Sequence, residues 1–193
     1  MDIKLIKLYR GSCYLPQDVI KDRTLHPTSD PQDIKRWWLN AKPEFKEMVL
    51  FKRDEDERIE AVGTVVEKLP DVTIFSHQFE EAFNRHSNPQ IVPNEDVREI
   101  VDLSTTGGRA EIGDMVLVRW VDASHNNTPL TFKEAAKDWE GVIYVIQTGF
   151  LIHKNGVRIM LGGRYNEDGK FKYITAIPAE NVKSMTKLRR ENK

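Results

Sequence analysis

The stretch Val142-Ile143-Tyr144-Val145-Ile146-Gln147-Thr148-Gly149-Phe150-Leu151-Ile152-His153, followed by Lys154-Asn155-Gly156 and Val157-Arg158-Ile159-Met160-Leu161-Gly162, decides the reading of this chain. Apolar and β-branched residues fill both runs. Asn155-Gly156 between them tolerates the positive φ angles of a type I′ turn, so the pair reads as a β-hairpin. Gly149 inside the first run marks a bulge or sharp bend. The segment Tyr165-Asn166-Glu167-Asp168-Gly169-Lys170 turns the chain again, into a strand over Phe171–Ile177. Pro178-Ala179-Glu180-Asn181 reads as one turn of 3₁₀ helix before a last strand, Val182–Leu188. Upstream, Met115–Asp122 is a strand with Val116, Val118 and Trp120 on one face and Leu117 and Val121 on the other. Between it and the hairpin lie the polar loop Ser124–Pro129 and a short helix capped by Thr131. Phe132, Ala135, Ala136 and Trp139 of that helix follow helical spacing, and Gly141 sits past its end. Five such strands predict a small closed β-barrel over residues 112–190, because closure removes the edges that so small a sheet would expose.

Residues 1–108 are expected to form an α+β part with a small antiparallel sheet and two or three helices. Ile3, Leu5 and Leu8 alternate with lysines as in a half-buried strand. Three prolines between Pro16 and Pro31 predict loop. Asp30 and Pro31 then open a helix to Leu39 or Asn40 that buries Ile34, Trp37 and Trp38. Strands are expected over Glu47–Lys52 and Arg58–Leu69, joined by the acidic turn Asp54-Glu55-Asp56-Glu57. Phe75, Phe79 and Phe83 stand four apart, with Ala82 beside them, which predicts a helix over Val72–His86 with an aromatic stripe. Asn94 is placed as the cap of a second short helix, Glu95–Leu103, with Val97, Ile100 and Val101 inward. The polar joint Ser104–Arg109 separates the two parts.

Composition bounds the function. The chain has 193 residues, of which 39% are hydrophobic, enough apolar surface to exclude a wholly disordered protein. A single cysteine, Cys13, excludes an intrachain disulfide framework. No apolar run approaches the roughly 20 residues of a membrane helix, and Met1–Leu8 alternates where a signal peptide would be continuously apolar, so a cytoplasmic location is expected. The net charge is −1, with 16 Lys or Arg against 20 Asp or Glu in residues 1–110 and 13 against 10 beyond. That balance excludes a strongly basic nucleic-acid binder. The glycine-containing joint lacks the spacing of a phosphate-binding loop. No H-x-x-x-H, H-E-x-x-H or C-x-x-C occurs, and four adjacent acids lack the spaced ligands of a calcium loop, so no metal or cofactor is expected.

The order of the C-terminal elements resembles an SH3-like barrel, and is similar to a group of small bacteriophage and prophage proteins of Gram-positive bacteria. The resemblance rests on Trp120-Val121-Asp122, Thr148-Gly149-Phe150-Leu151-Ile152, Gly162-Gly163-Arg164-Tyr165, Ile177-Pro178 and Val182-Lys183-Ser184-Met185, and covers roughly residues 113–189. It implies a barrel with a short inserted helix and an origin in a mobile element, acting in the host cytoplasm. The aromatic segment with which signalling SH3 domains grip proline-rich ligands is missing after Asp122, so that activity is not expected. The expected function is a non-enzymatic accessory protein that binds a host or defence protein, as an anti-CRISPR-like inhibitor of a nucleic-acid-handling complex. Asp54, Glu55, Asp56 and Glu57, with Glu60, would stand where phosphates sit. One alternative is nucleic-acid binding through Arg158, Arg164, Lys170, Lys172, Lys187, Arg189 and Arg190, with Tyr165, Phe171 and Tyr173 for stacking. Another is an enzyme pairing Cys13 with His26, His77, His86, His125 or His153. No small-molecule substrate is identifiable from the residues, and no membrane partner is expected.

Overall fold

The computed structural model describes residues 1–9, 31–40, 43, 46, 58–81, 84–87, 89–122 and 143–191. In chain order these give β1 (Ile3–Leu8), α1 (Pro31–Asn40), β2 (Ile59–Lys68), β3 (Val72–Ser76), β4 (Gln78–Glu80), β5 (Arg85–Ser87), β6 (Gln90–Pro93) and β7 (Val97–Thr106). They continue with β8 (Met115–Asp122), β9 (Ile143–Lys154), β10 (Arg158–Asn166), β11 (Phe171–Pro178) and β12 (Val182–Arg190). Short 3₁₀ turns at Asn94–Asp96 and Ala179–Asn181 precede β7 and β12. Every strand pairing is antiparallel. Among the described residues no helix is long and apolar enough to cross a membrane.

Hydrogen bonds run from β10 through β2, β1, β7, β12, β8 and β9 and back to β10, closing a seven-stranded barrel. The five C-terminal strands and their 3₁₀ turn lie where the sequence places them, but the expectation that they close a small SH3-like barrel of their own is overturned. Among the described residues β11 pairs only with β10, β12 pairs with β8 and β7, and the ring closes only through the N-terminal strands at β12–β7 and β10–β2. Strand β1 is buried on both faces, as a strand inside such a ring must be. Ile3 and Leu5 pack with Val62, Leu103, Phe150 and Leu188, whereas Ile6 and Leu8 pack with Ile59, Ala61, Phe75 and Val92. A third cluster, Val116, Val118, Trp120, Val145, Leu151, Ile159, Leu161 and Ile177, fills the space between β8, β9, β10 and β11. Trp38 of α1 closes a fourth against Leu69, Val72, Ile74 and Ile91, with its indole N–H donating to Asp71 at 2.9 Å.

Closure depends on a crossing point. One edge of β10 bonds β9 through residues 159–162 and β2 through residues 164–166, with Gly163 between. Strands β3 and β4 make the same bridge from β2 to β9, with His77 between them. The two bridging residues face each other, because a Cβ on Gly163 would lie 3.0 Å from the His77 ring. His77 Nδ1 stands 2.6 Å from the Val62 carbonyl, which only accepts, so the proton sits on Nδ1. Thr148 of β9 donates its backbone N–H to the His77 carbonyl at 2.9 Å and its hydroxyl to the Val62 carbonyl at 3.0 Å. Backbones approach so closely here that a Cβ on Gly63 would fall 2.6 Å from the Ser76 oxygen, and one on Gly149 would fall 2.8 Å from the Gly162 oxygen.

The α+β expectation for the N-terminal part is overturned: the protein is mostly β, and α1 is the one α-helix assigned among the described residues. Within the expected helix Val72–His86, the described residues form the strands β3 and β4 and enter β5. Phenylalanines four apart satisfy a period of two as well as 3.6, and Val72-Thr73-Ile74 adds a β-branched run that favours the pleat. Residues 97–106 are also strand, held between β1 and β12. Asn94 caps nothing; its side chain donates to the Leu69 and Pro70 carbonyls and accepts from the Thr73 hydroxyl, fastening β6 to the β2–β3 turn. The β9–β10 hairpin forms, but neither Asn155 nor Gly156 takes a positive φ. The turn is centred one residue later, with the Asn155 side chain accepting from the N–H groups of Val157 and Arg158. The expected strand Glu47–Lys52 and helix Thr131–Trp139 lie outside the described residues.

Two tests follow from the crossing point. Burial, with the Arg164 charge nearby, pushes the His77 imidazole down to about 4 from 6.5. The fold therefore holds His77 neutral while the unfolded chain takes up a proton near its ordinary value. Its contribution is complete above pH 6.5 and is lost as the pH falls from 6.5 to about 4, costing about 3 kcal/mol. Urea unfolding at pH 7, 5.5 and 4.5 checks this, and His77→Asn should lower stability at pH 7 while flattening the slope over that interval. Gly149→Ala should cost about 1–3 kcal/mol in the same assay, since the clash is with backbone. Gly156→Ala, in open space, should change little.

Candidate binding site at the barrel mouth

The inward faces of the strands are apolar along β1, where Ile3 and Leu5 point into the barrel, and turn polar at Lys7. The register places Phe171 opposite Tyr165, Tyr165 opposite Glu60, Glu60 opposite Lys7, and Lys7 opposite Glu99. Directly paired residues share a face, so these five side chains form one transverse row over β11, β10, β2, β1 and β7. The row is the rim of the barrel.

At its β11 end a pocket of about 540 Å³ opens between the row and the β8–β9 side. Its wall is aromatic: Tyr165 and Phe171 have ring centroids 5.0 Å apart, and Phe150 lies 5.9 and 6.2 Å from them. Met115 and Leu188 complete the apolar lining. The polar side is made of two ion pairs, Arg190–Glu60 at 3.2 Å and Lys187–Asp114 at 2.8 Å. The Lys187 ammonium and the Glu111 N–H hold the Asp114 carboxyl below the usual range.

A second pocket of about 350 Å³ adjoins the first and shares Glu60 and Tyr165 with it. Its side chains are mostly charged: Lys7, Arg58, Arg98, Glu60 and Glu167, with the buried Asn166. Lys7 is engaged by Glu99 at 2.5 Å, which lowers the Glu99 carboxyl. Arg98 owes its place to a bulge, for Leu8 pairs with Val97 and Lys7 with Glu99, leaving Arg98 unmatched in the β7 ladder. Neither Arg58 nor Arg98 makes an ion pair within 4 Å among the described residues, although the Arg98 charge adds to that of Lys7 on Glu99.

The structure scatters the expected basic surface. Arg164 is 2% exposed and is not a surface residue at all. Its guanidinium donates to the Gln90 side chain and lies 4.6 Å from the Tyr173 ring centre and 5.9 Å from that of Phe75. Arg158 begins β10 seven residues from Tyr165, about 23 Å along the strand. Lys170 stands beside Asp168 at 3.6 Å, Lys172 faces away from the mouth opposite Arg164, and Arg189 is exposed beside Ser104. Of these cations Arg190 alone lines the mouth, while Lys187 stands at its edge through its ion pair with Asp114. Tyr165 and Phe171 do come together, but Tyr173 leaves them: its φ of 56° breaks the alternation of β11 and turns the ring toward His77 and Arg164. The acidic turn Asp54–Glu57, and Cys13, His26 and His125, lie outside the described residues. His77, His86 and His153 are described, and no group of three or more metal-ligating side chains occurs among the described residues. Glu60 is singled out by the sequence only beside the acidic turn, and Lys7 and Arg98 carry no local signal, because only the register across β2, β1 and β7 unites the three. No family model matches this chain, no curated protein is similar to it, and no solved structure matches it.

Proposed function

We propose that the protein works by binding, with the barrel mouth seating an aromatic or apolar group between the Phe150, Tyr165 and Phe171 rings and the two ion pairs. The observation that carries this reading is the aromatic wall itself. Three rings line an open concavity where the inward face of a closed barrel ends, and Tyr165 keeps 37% of its surface exposed there. Barrel mouths with an apolar wall and a few convergent polar groups are the usual form of a ligand site. Stacking and burial supply affinity, while the fixed charges of Glu60, Arg190, Asp114 and Lys187 set orientation. An accessory role in a mobile element is compatible with such recognition; of the acids read for phosphate mimicry, Glu60 lines the mouth, and Asp54–Glu57 lie outside the described residues.

Ring-bearing fragments such as indole and adenine, titrated by NMR, should bind in the millimolar range, about 4 kcal/mol. The perturbed resonances should centre on Met115, Phe150, Tyr165, Phe171 and Leu188. Tyr165→Ala with Phe171→Ala should abolish binding while the fold persists by circular dichroism. Shifts spread elsewhere, or none at all, would sink the proposal.

A further inference from the structure

The two pockets meet at Tyr165 and Glu60, so a ligand seated in the aromatic one has its exit over the cationic one. From Tyr165 the row runs through Glu60 to Lys7, two interstrand spacings or roughly 10 Å, and Arg98 is brought to the same rim by its bulge. Around the rim, Lys7 and Arg190 are occupied by Glu99 and Glu60. Arg58 and Arg98 make no ion pair within 4 Å among the described residues, although the Arg98 charge also acts on Glu99, and both are exposed and line the second pocket. A guanidinium presents a planar fork of N–H donors matched to phosphate oxygens, whereas a ring needs only a face to stack on. Resting on the binding function proposed above, we infer that the occupant joins an aromatic ring to a phosphate, as a nucleotide does, with its base against Tyr165 and Phe171 and its phosphate on Arg58 and Arg98. Glu60 at the boundary disfavours an anion on the Tyr165 side of the second pocket, while Glu167 lies next to Arg58, its N–H donating to the Arg58 carbonyl at 3.1 Å.

Adenosine, AMP, inorganic phosphate and the dinucleotide ApA serve as probes, titrated by NMR at about 0.05 and 0.2 M salt. AMP should bind at least about 10-fold tighter than adenosine at the lower salt, and this advantage should shrink at the higher one because phosphate contacts are screened. In Arg58→Ala/Arg98→Ala the ratio of AMP to adenosine affinity should fall to about one. Binding of ApA beyond AMP would identify the source as a single strand, and equal binding a free nucleotide; either result supports the assignment. If adenosine binds and AMP binds no tighter, the phosphate assignment is overturned while the ring site stands. If the ratio survives in the double variant, the assignment to these two arginines is overturned. If neither adenosine nor AMP perturbs the mouth, the ring site falls as well.

Discussion

The contact between the His77 ring and Gly163, with the His77 N–H on the Val62 carbonyl, is the constraint on which the rest of the molecule depends. No ladder joins β2 directly to β9, so the ring closes only because β10 straddles the gap, with the β3–β4 segment straddling it alongside. Strand β10 changes partner at Gly163 and the β3–β4 segment does so at His77, and at those points each would leave polar backbone groups facing the other's surface. His77 and Thr148 answer those groups with hydrogen bonds, and the glycines let the four backbones close to contact distance. Burying polar groups without such partners would cost several kcal/mol, so the crossing is held as a unit or not at all.

Everything at the mouth inherits its geometry from that closure. Tyr165 lies two residues beyond Gly163, so the register that seats Gly163 against His77 also sets Tyr165 opposite Glu60. A slip of one residue in β10 would send Tyr165 to the outer face and bring Arg164 into the barrel. The buried Arg164 resists that slip from the other side, since its guanidinium has the Gln90 side chain and the Tyr173 ring only in the observed register. Aromatic wall and cationic rim are thus two readouts of one alignment.

How much of this was legible in the sequence depends on how local each signal is. The C-terminal strands are punctuated by their own turns, at Asn155-Gly156, Gly169 and Pro178, and each falls within a few residues of its expected place. Strand β1 and helix α1 are likewise marked by alternation and by Asp30-Pro31. The segment from Val72 to Leu103 misleads because its phenylalanine spacing fits both periods and three of its partners, β1, β9 and β12, are distant in sequence. At the site, Tyr165, Phe171, Lys187 and Arg190 stand out by residue type. Lys7 and Arg98 do not, and Glu60 does so only as a neighbour of the acidic turn, since a five-strand row and a bulge are properties of pairing, not of composition. Arg164 looks like a surface cation until the fold surrounds it, and the left-handed backbone at Tyr173 has no signature in its neighbours.

The place of β12 in the ring has a kinetic consequence. It pairs with β7 on one side and β8 on the other, while β1 sits between β2 and β7, so the first and last strands are both interior to the ladder. During synthesis the N-terminal strands must wait, with β7 showing an unpaired edge, until residues 182–190 have left the ribosome. Such long-range pairing makes for slow folding and exposes a nascent edge to wrong partners in the meantime. The lysines and arginines of β12 and the charged residues along β7 then act as a safeguard of a different kind, keeping those two waiting edges from joining copies of themselves.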